Sequence, residues 1–448
     1  MYKDLVNLAE VDGYQSWREK EFEKLSNLIQ RRLEYLQNPA DCHKAKKVVC
    51  NLNKGCGYGC QLHHLVFCLT MAYGTERTLI LQSKGWRYNK AGWDEIFQPV
   101  SNSCSTYHYD TSIVEQWPGE NDPEIIHLSI IDNLIPTPEY VPPAIPEDIS
   151  ARLIRLHGDP IVWWVGQMLK YLLRPQQSLA EKLQQATRNL NFKSPIVGIH
   201  VRRTDKIGTE AAFHSIEEYM SHVNDYYDRL ELMMSTQNQQ LDQRRVYIAT
   251  DDPKVITAAK RQYPQYEIIG DTNIAKIAAV STRYTERSLF GIILDIYFLS
   301  KSDFIVCTFS SQVCRVAYEL MQTYGLDATN KFRSLDDIYY FGGGKPHIKI
   351  AHMKHMVDST TYYTNEAGGA APIMHTVAGE INLEIGDKIH IAGNHWNGYS
   401  KGKNLRTNQM GLFPSFKVDD QILTARFPTY PYVSNLTNTP KIRSKIFN

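Results

Sequence analysis

Between Ser194 and Thr308 short β-type runs alternate with helical ones, and this order constrains the fold more than any other feature of the sequence. PIVGIHV (195–201), RRVYIAT (244–250), YEIIG (266–270) and DFIVCT (303–308) read as strands. EEYMSHVNDYYDRLELMM, PKVITAAKRQY and LFGIILDIYFLSK read as helices between them. Such alternation predicts a parallel sheet with helices on its faces. Sheets of this kind take ligands beyond the carboxyl ends of their strands. Three polar clusters fall at such ends: HVRRTDK (200–206), ATDDP (249–253) and CTFSSQVCR (307–315).

In the first cluster two adjacent arginines, Arg202 and Arg203, leave a buried strand, where an unpaired charge is costly. One reading is a diphosphate clamp, because guanidinium forks match phosphate oxygens and keep their charge. The other is a structural ion pair with Asp205, Asp251 or Asp252. Side chains leaving a strand alternate in direction, so one arginine is expected to face a ligand. Lys206 and Glu210 stand four apart. That spacing suits a surface ion pair, and equally a carboxylate placed to take a proton beside a leaving group. Asp295 interrupts an apolar helix (GIILDIYFL) as either a satisfied buried acid or a contact for a base or ribose. His200 shares the strand face of Arg202.

The remaining sequence bounds the class. With 448 residues, two to four units are expected. A hydrophobic content of 43% supports packed cores, and a formal charge of +1 gives no footprint for nucleic acid. No apolar run approaches the ~18 residues of a membrane span, and MYKDLVNLAEVDG lacks a signal-peptide pattern. Trp17–Gln37 reads as an amphipathic helix with Phe22, Leu25, Ile29, Leu33 and Leu36 on one stripe, either packed on the body or ending a dimerising stem. Six of the eight cysteines lie between Cys42 and Cys104, and Cys307 and Cys314 form a separate pair. Disulfides and an oxidising compartment are the favoured reading, with zinc on Cys56, Cys60, His63 and His64 as the rival. Gly55, Gly57 and Gly59 form a loop opening a helix, a weak anion-binding signal. PTPEYVPPAIP (136–146) reads as a surface connection. Gly342–Ala371 reads as a linker, followed by an all-β unit with an acidic Gly386-Asp387 turn, Trp396 and GLFPSFKV (411–418). That unit resembles an SH3 domain, but His395 stands where a ligand-stacking tryptophan is usual, so proline-rich peptide binding is not expected.

Together HVRRTDK, GTEAAFH, ATDDP, CTFSSQVCR, the GCGYGCQLHH loop and the SH3-like unit resemble the eukaryotic α-1,6-fucosyltransferases, which core-fucosylate N-glycans. The resemblance runs from about Trp17 to Tyr430. It implies an α/β protein of GT-B-like architecture: an N-terminal helix ending a stem (1–40), a Cys-rich open-sheet α/β domain (41–193), a Rossmann-like GDP-fucose-binding domain (194–344), a linker (345–372) and an SH3-like β-barrel (373–433). The implied activity is inverting, metal-independent transfer of L-fucose from GDP-β-L-fucose to O6 of the innermost Asn-linked GlcNAc. No cofactor is implied beyond the GDP-fucose co-substrate. Alternatives are a fucosyltransferase with another acceptor, an inactive glycan- or partner-binding homologue, or a scaffold acting through the SH3-like unit.

The resemblance also implies roles. Arg202 would bind the β-phosphate with Arg203 supporting it, and Tyr88, His200, Asp205, Asp295, Ser311 and Gln312 would line the donor site near the Gly55–Cys60 loop. Glu210 would be the general base, with Lys206 relaying or stabilising charge. Asp251 and Asp252 would support the site, and Lys54 and His395 would hold the glycan. The implied disulfides are Cys42–Cys104, Cys50–Cys68, Cys56–Cys60 and Cys307–Cys314. The resemblance further implies a Golgi-lumenal ectodomain of a membrane-anchored protein, with homodimerisation through the stem. Asn435-Leu-Thr437 is a glycosylation sequon, a triplet common by chance.

Overall fold

The computed structural model describes residues 4, 8, 11–105, 108–120, 122–131, 134–204, 212–279, 281–325, 327–342, 347–357, 379–394 and 397–434. A helix over Tyr14–Gln37 opens the fold and buries Phe22, Leu25, Ile29, Leu33 and Leu36, the stripe its periodicity marks out. Its polar residues are tied to the body as well: Ser26 donates to Gln167 at 2.8 Å and Arg32 to Asp148 at 2.7 Å. Of the two readings of this segment, the structure shows the packed one.

A first sheet follows from β1 (Lys47–Asn51), β2 (Thr78–Gln82), β3 (Val114–Gln116) and β4 (Ile125–Leu128), all parallel in the order β2-β1-β4-β3. Next come β5 (Ala144–Pro146) and helices over Glu147–Leu156, Pro160–Leu172 and Gln177–Asn189. The second sheet holds β6 (Ile196–Val201), β7 (Arg245–Thr250), β8 (Glu267–Ile269), β9 (Phe304–Cys307) and β10 (Phe332–Ser334), parallel in the order β10-β9-β6-β7-β8. All six residues of β6 and of β7 are buried, which explains their near-continuous apolar text. The helices over Ile216–Thr236, Pro253–Gln262 and Glu286–Lys301 fall where the sequence predicts them.

Both sheets reverse direction around their first strand. The chain runs from β1 to β2 on one side and brings β4 to the other. It likewise runs from β6 through β7 to β8, then places β9 on the opposite side of β6. Such a reversal sends successive connections to opposite faces and opens a crevice at the carboxyl ends of the two central strands.

A third sheet is antiparallel throughout: β11 (Ile348–Ala351), β12 (Lys388–Asn394), β13 (Tyr399–Asn404), β14 (Met410–Pro414) and β15 (Val418–Asp420), in the order β14-β13-β12-β11-β15. Gly386 takes φ +88° in the acidic turn before β12, a backbone state that favours glycine. Here the structure corrects the 345–372 linker. Ile348–Ala351 is the strand between β12 and β15, and Ala351 packs in a core with Ile381, Leu383, Ile389, Phe413 and Val418.

Two further segments differ from expectation. Within PTPEYVPPAIP, Val141, Ala144 and Ile145 are fully buried, because β5 pairs with β16 (Leu423–Ala425). The chain beyond β15 therefore leaves the antiparallel sheet, whereas the 373–433 boundary assigns it there. Phe427 packs against Tyr73, Tyr140 and Trp164 with ring centroids 5.2–5.3 Å apart, burial that anchors the tail to the first α/β body. Among the described residues no helix is long and apolar enough to cross a membrane.

Candidate functional site

A cleft of about 700 Å³ lies where the carboxyl ends of the two parallel sheets meet. Strand β6 delivers His200 and Arg202 to it, β7 delivers Asp251, and the turn after β9 delivers Ser310 and Ser311. From the first sheet, the loop after β1 brings Lys54 to Cys60. All three polar strand-end clusters thus converge on one cavity.

Arg202 and Asp251 form an ion pair at the cleft wall. The Asp251 carboxylate also accepts from the Thr204 hydroxyl, from the Arg203 backbone N–H at 2.8 Å and from the Thr204 N–H at 3.1 Å. Burial alone would raise this carboxyl. The Arg202 guanidinium, the Thr204 hydroxyl and the two N–H groups outweigh it and hold Asp251 below the usual carboxylate range. The clamp and ion-pair readings of Arg202 therefore merge, since Asp251 aims a guanidinium that also lines the cavity. Arg203 departs in another direction, as strand alternation predicts, and stacks 4.1 Å over the Phe213 ring outside the cleft lining. Asp252 does not reach the cavity either. It caps the helix Pro253–Gln262 by accepting from Lys254 N at 2.9 Å, so its support of the site is limited to placing that helix.

Two helix N-termini face the same space. The helix Tyr58–Gly74 begins after Gly57 and the helix Gln312–Met321 after Ser311, and neither N-cap residue makes a side-chain cap bond. First-turn N–H groups lack intrahelical acceptors and carry the positive end of the helix dipole, which suits an anion. The two ends nearly touch. A Cβ on Gly59 would stand 3.0 Å from both the carbonyl carbon and Cβ of Gln312, so glycine permits the approach. Cys56–Cys60 and Cys307–Cys314 tie the preceding chain to each first turn, while Cys42–Cys104 and Cys50–Cys68 hold the rest of the Cys-rich region. This is the pairing the resemblance implies. Cys50, His64 and Cys68 converge within 4.8 Å, but the disulfide consumes both thiols and leaves no thiolate pair for zinc.

Deeper in the cleft, His200 is buried. Desolvation, helped by the Arg202 charge, holds its imidazole down to about 4, so it is neutral at pH 7. Asp295 is also buried, and desolvation with the nearby Asp271 charge raises its carboxyl to about 7 despite a 2.7 Å hydrogen bond donated by Tyr247. Tyr88 lines one wall, edge-on to Tyr284 at 5.2 Å, with Arg87 stacked 3.4 Å over the Tyr284 ring. Burial pushes the Tyr88 phenol up to about 12.

Of the residues singled out in the sequence, Lys54, Tyr88, His200, Arg202, Asp251, Asp295, Ser311 and Gln312 share this cleft. Asp205, Lys206, Glu210 and His395 lie outside the described residues, as does the Asn435 sequon. The sequence reading did not single out Tyr284, and Arg315 entered it only as the end of CTFSSQVCR, with Glu319 one turn further on unremarked. Arg315 is buried, donates to the Tyr340 carbonyl at 2.7 Å and lies 3.9 Å over the Tyr340 ring. Two charged residues on the apolar helix QVCRVAYELM were the available signal, of the same kind that flagged Asp295.

A two-sheet α/β fold with an arginine and two helix N-termini at the switch points forms a cleft suited to an anionic, nucleotide-sized ligand. A family model described as the α-(1,6)-fucosyltransferase N- and catalytic domains matches residues 1–340. A Drosophila melanogaster α-(1,6)-fucosyltransferase is 56% identical over 430 residues, covering 96% of this chain and 65% of that protein. A Caenorhabditis elegans α-(1,6)-fucosyltransferase is 42% identical over 416 residues, covering 92% of this chain and 70% of that protein. The chain belongs to the α-(1,6)-fucosyltransferase family, and it spans about two thirds of the length of these relatives. Among solved structures, a NodZ α-1,6-fucosyltransferase co-crystallized with GDP aligns at 11% identity over 61% of this chain and 91% of that one, with a TM-score of 0.36, too loose a likeness to carry any assignment.

Proposed function

We propose that this protein transfers L-fucose from GDP-β-L-fucose to O6 of the innermost Asn-linked GlcNAc of N-glycans, with inversion and without a metal. The observation that carries this reading is Arg202, aimed by Asp251 at the space bordered by two helix N-termini, in a chain of this family. In the reaction the acceptor O6 bonds to fucose C1 as the bond from C1 to the β-phosphate oxygen breaks. The electron pair leaves with GDP and the O6 proton passes to Glu210. Arg202 and the helix ends balance the charge gathering on the diphosphate. Lys206 assists that charge, Ser311 and Gln312 belong to the phosphate side, and Tyr88, His200 and Asp295 take the nucleoside. Lys54, with His395, is assigned to the glycan.

The same reading gives the two parallel sheets a GT-B-like role, the second as the Rossmann-like donor domain, and makes the antiparallel sheet an SH3-like barrel. It sets the protein in the Golgi lumen, anchored and dimerised through a stem. Pairing of all eight cysteines favours such an oxidising compartment.

The test is direct. The protein is incubated with GDP-fucose, EDTA and a biantennary glycan carrying an exposed GlcNAc on its α1,3 arm, and added fucose is located by mass spectrometry. Transfer to the innermost GlcNAc with EDTA present is expected; no transfer, or fucose elsewhere, sinks the proposal.

A pH dependence also follows. If ionised Asp295 accepts N–H groups from the base, affinity must fall as that carboxyl protonates. With its pKa raised to about 7, GDP-fucose affinity is expected to rise about 5- to 10-fold from pH 6 to pH 8. His200, at about 4, does not titrate in this window. GDP-fucose is the right ligand, because the terminal phosphate of GDP itself titrates near pH ~6. Calorimetric titrations across the window check this, and an Asp295→Asn variant that keeps the slope would remove Asp295 as its origin.

A further inference from the structure

The two helices that end at the cleft are joined by a buried polar cluster, in which His63 belongs to the cleft wall and Glu319 and Tyr339 stand behind it. His63 lies on Tyr58–Gly74 and Glu319 on Gln312–Met321, between one and two turns back from the ends facing the cavity. His63 Nε2 stands 3.0 Å from both Glu319 carboxylate oxygens, and the Tyr339 hydroxyl donates to Oε1 at 2.8 Å. Glu319 is wholly buried and His63 is 5% exposed. Three polar side chains set this deep in an apolar core are costly unless all are satisfied together, and stability alone would be served as well by apolar packing.

Their placement gives a second reason. Each end of the pair is fixed from outside: Glu319 lies where the helix Pro160–Leu172 crosses at Gly166, whose absent Cβ would come 2.4 Å from the Glu319 carbonyl oxygen. His63 packs against Phe341 at 5.1 Å between ring centroids. In front, Gly59 and Gln312 are already in contact. The His63–Glu319 link and the Gly59–Gln312 contact join the two helices at two levels, which opposes pivoting of one about the other.

We propose that Glu319 and Tyr339 are positioning residues that, through His63 at the cleft wall, set the separation and angle of the two helix N-termini, and thereby the affinity of the cleft for a diphosphate. The inference rests on the donor reading above. It predicts that loosening the cluster weakens ligands in proportion to their phosphates and spares those without any. A merely structural role would lower thermal stability and leave that ratio alone.

The measurement is calorimetric binding of GDP and of guanosine to the wild-type chain, Glu319→Gln and Tyr339→Phe, with unfolding temperatures recorded in parallel. Glu319→Gln replaces the carboxyl by an amide of the same shape and is expected to weaken GDP about 10-fold. Tyr339→Phe, which deletes one bond and keeps the ring, is expected to weaken GDP about 3-fold and decides the matter if Glu319→Gln does not fold. Guanosine should bind all three within about 2-fold. Equal loss of both ligands, or no loss of either, overturns the positioning role. A wild-type chain that binds guanosine but not GDP overturns the donor reading itself, and this inference with it.

Discussion

Arg202→Ala is expected to reduce GDP affinity by roughly 100- to 1000-fold. The residue would give the phosphate a charge-assisted contact from a partly buried position, where such bonds exceed their strength in water. Its removal also takes the counter-charge from Asp251 at the cavity wall, leaving a carboxylate that repels the diphosphate it had helped to bind. Arg202→Lys keeps the charge and loses the fork, so an intermediate loss of about 10-fold is expected. Calorimetric titration with GDP measures both, and affinity for Arg202→Ala within threefold of wild type would show that the arginine serves the Asp251 pair alone.

Glu210→Gln is expected to separate binding from chemistry. Donor affinity should stay within about twofold while turnover falls by roughly 100- to 10,000-fold, the range for loss of a positioned base. The amide keeps the shape and cannot accept the O6 proton. Single-turnover transfer with saturating GDP-fucose reads the chemical step, and near-normal turnover would remove Glu210 as the base. On one side of Glu210 in the sequence Thr204 is bonded to Asp251, and on the other Ser215 and Glu218 close a capping box at the start of Ile216–Thr236.

These two variants probe different links of one chain of causes. The role proposed for Arg202 rests on its place at a strand end, paired to Asp251 in the cleft wall. Glu210 is assigned by family resemblance, and its test must come from kinetics.

Much of the second parallel sheet and its side of the cleft was legible because it is local. Short apolar β-type runs located β6, β7 and β9 to within a residue or two, and the polar text after each marked where a ligand would sit. The first helix was legible for the same reason, since one stripe of apolar residues names its own buried face. Elements with weak local patterns were missed. Ile348–Ala351 is four residues in a polar stretch, and it became a strand because β12 and β15 supply hydrogen bonds on both sides. β5 and β16 are short strands that each lack a repeat of their own and define one another across the chain.

The sequence by itself determined the second parallel α/β sheet, the arginine at its central strand end, and a family whose motifs run the length of the chain. Only the tertiary structure decided which partners those residues keep. It chose Asp251 over Asp252 for Arg202, turned Arg203 onto Phe213, and gave Asp295 the hydroxyl of Tyr247. It also brought His63 to Glu319 across 256 residues of sequence. Periodicity reports which face of an element is buried; the identity of what lies against that face is fixed only when the sheets and helices pack, and the polarity of the cleft depends on that second choice.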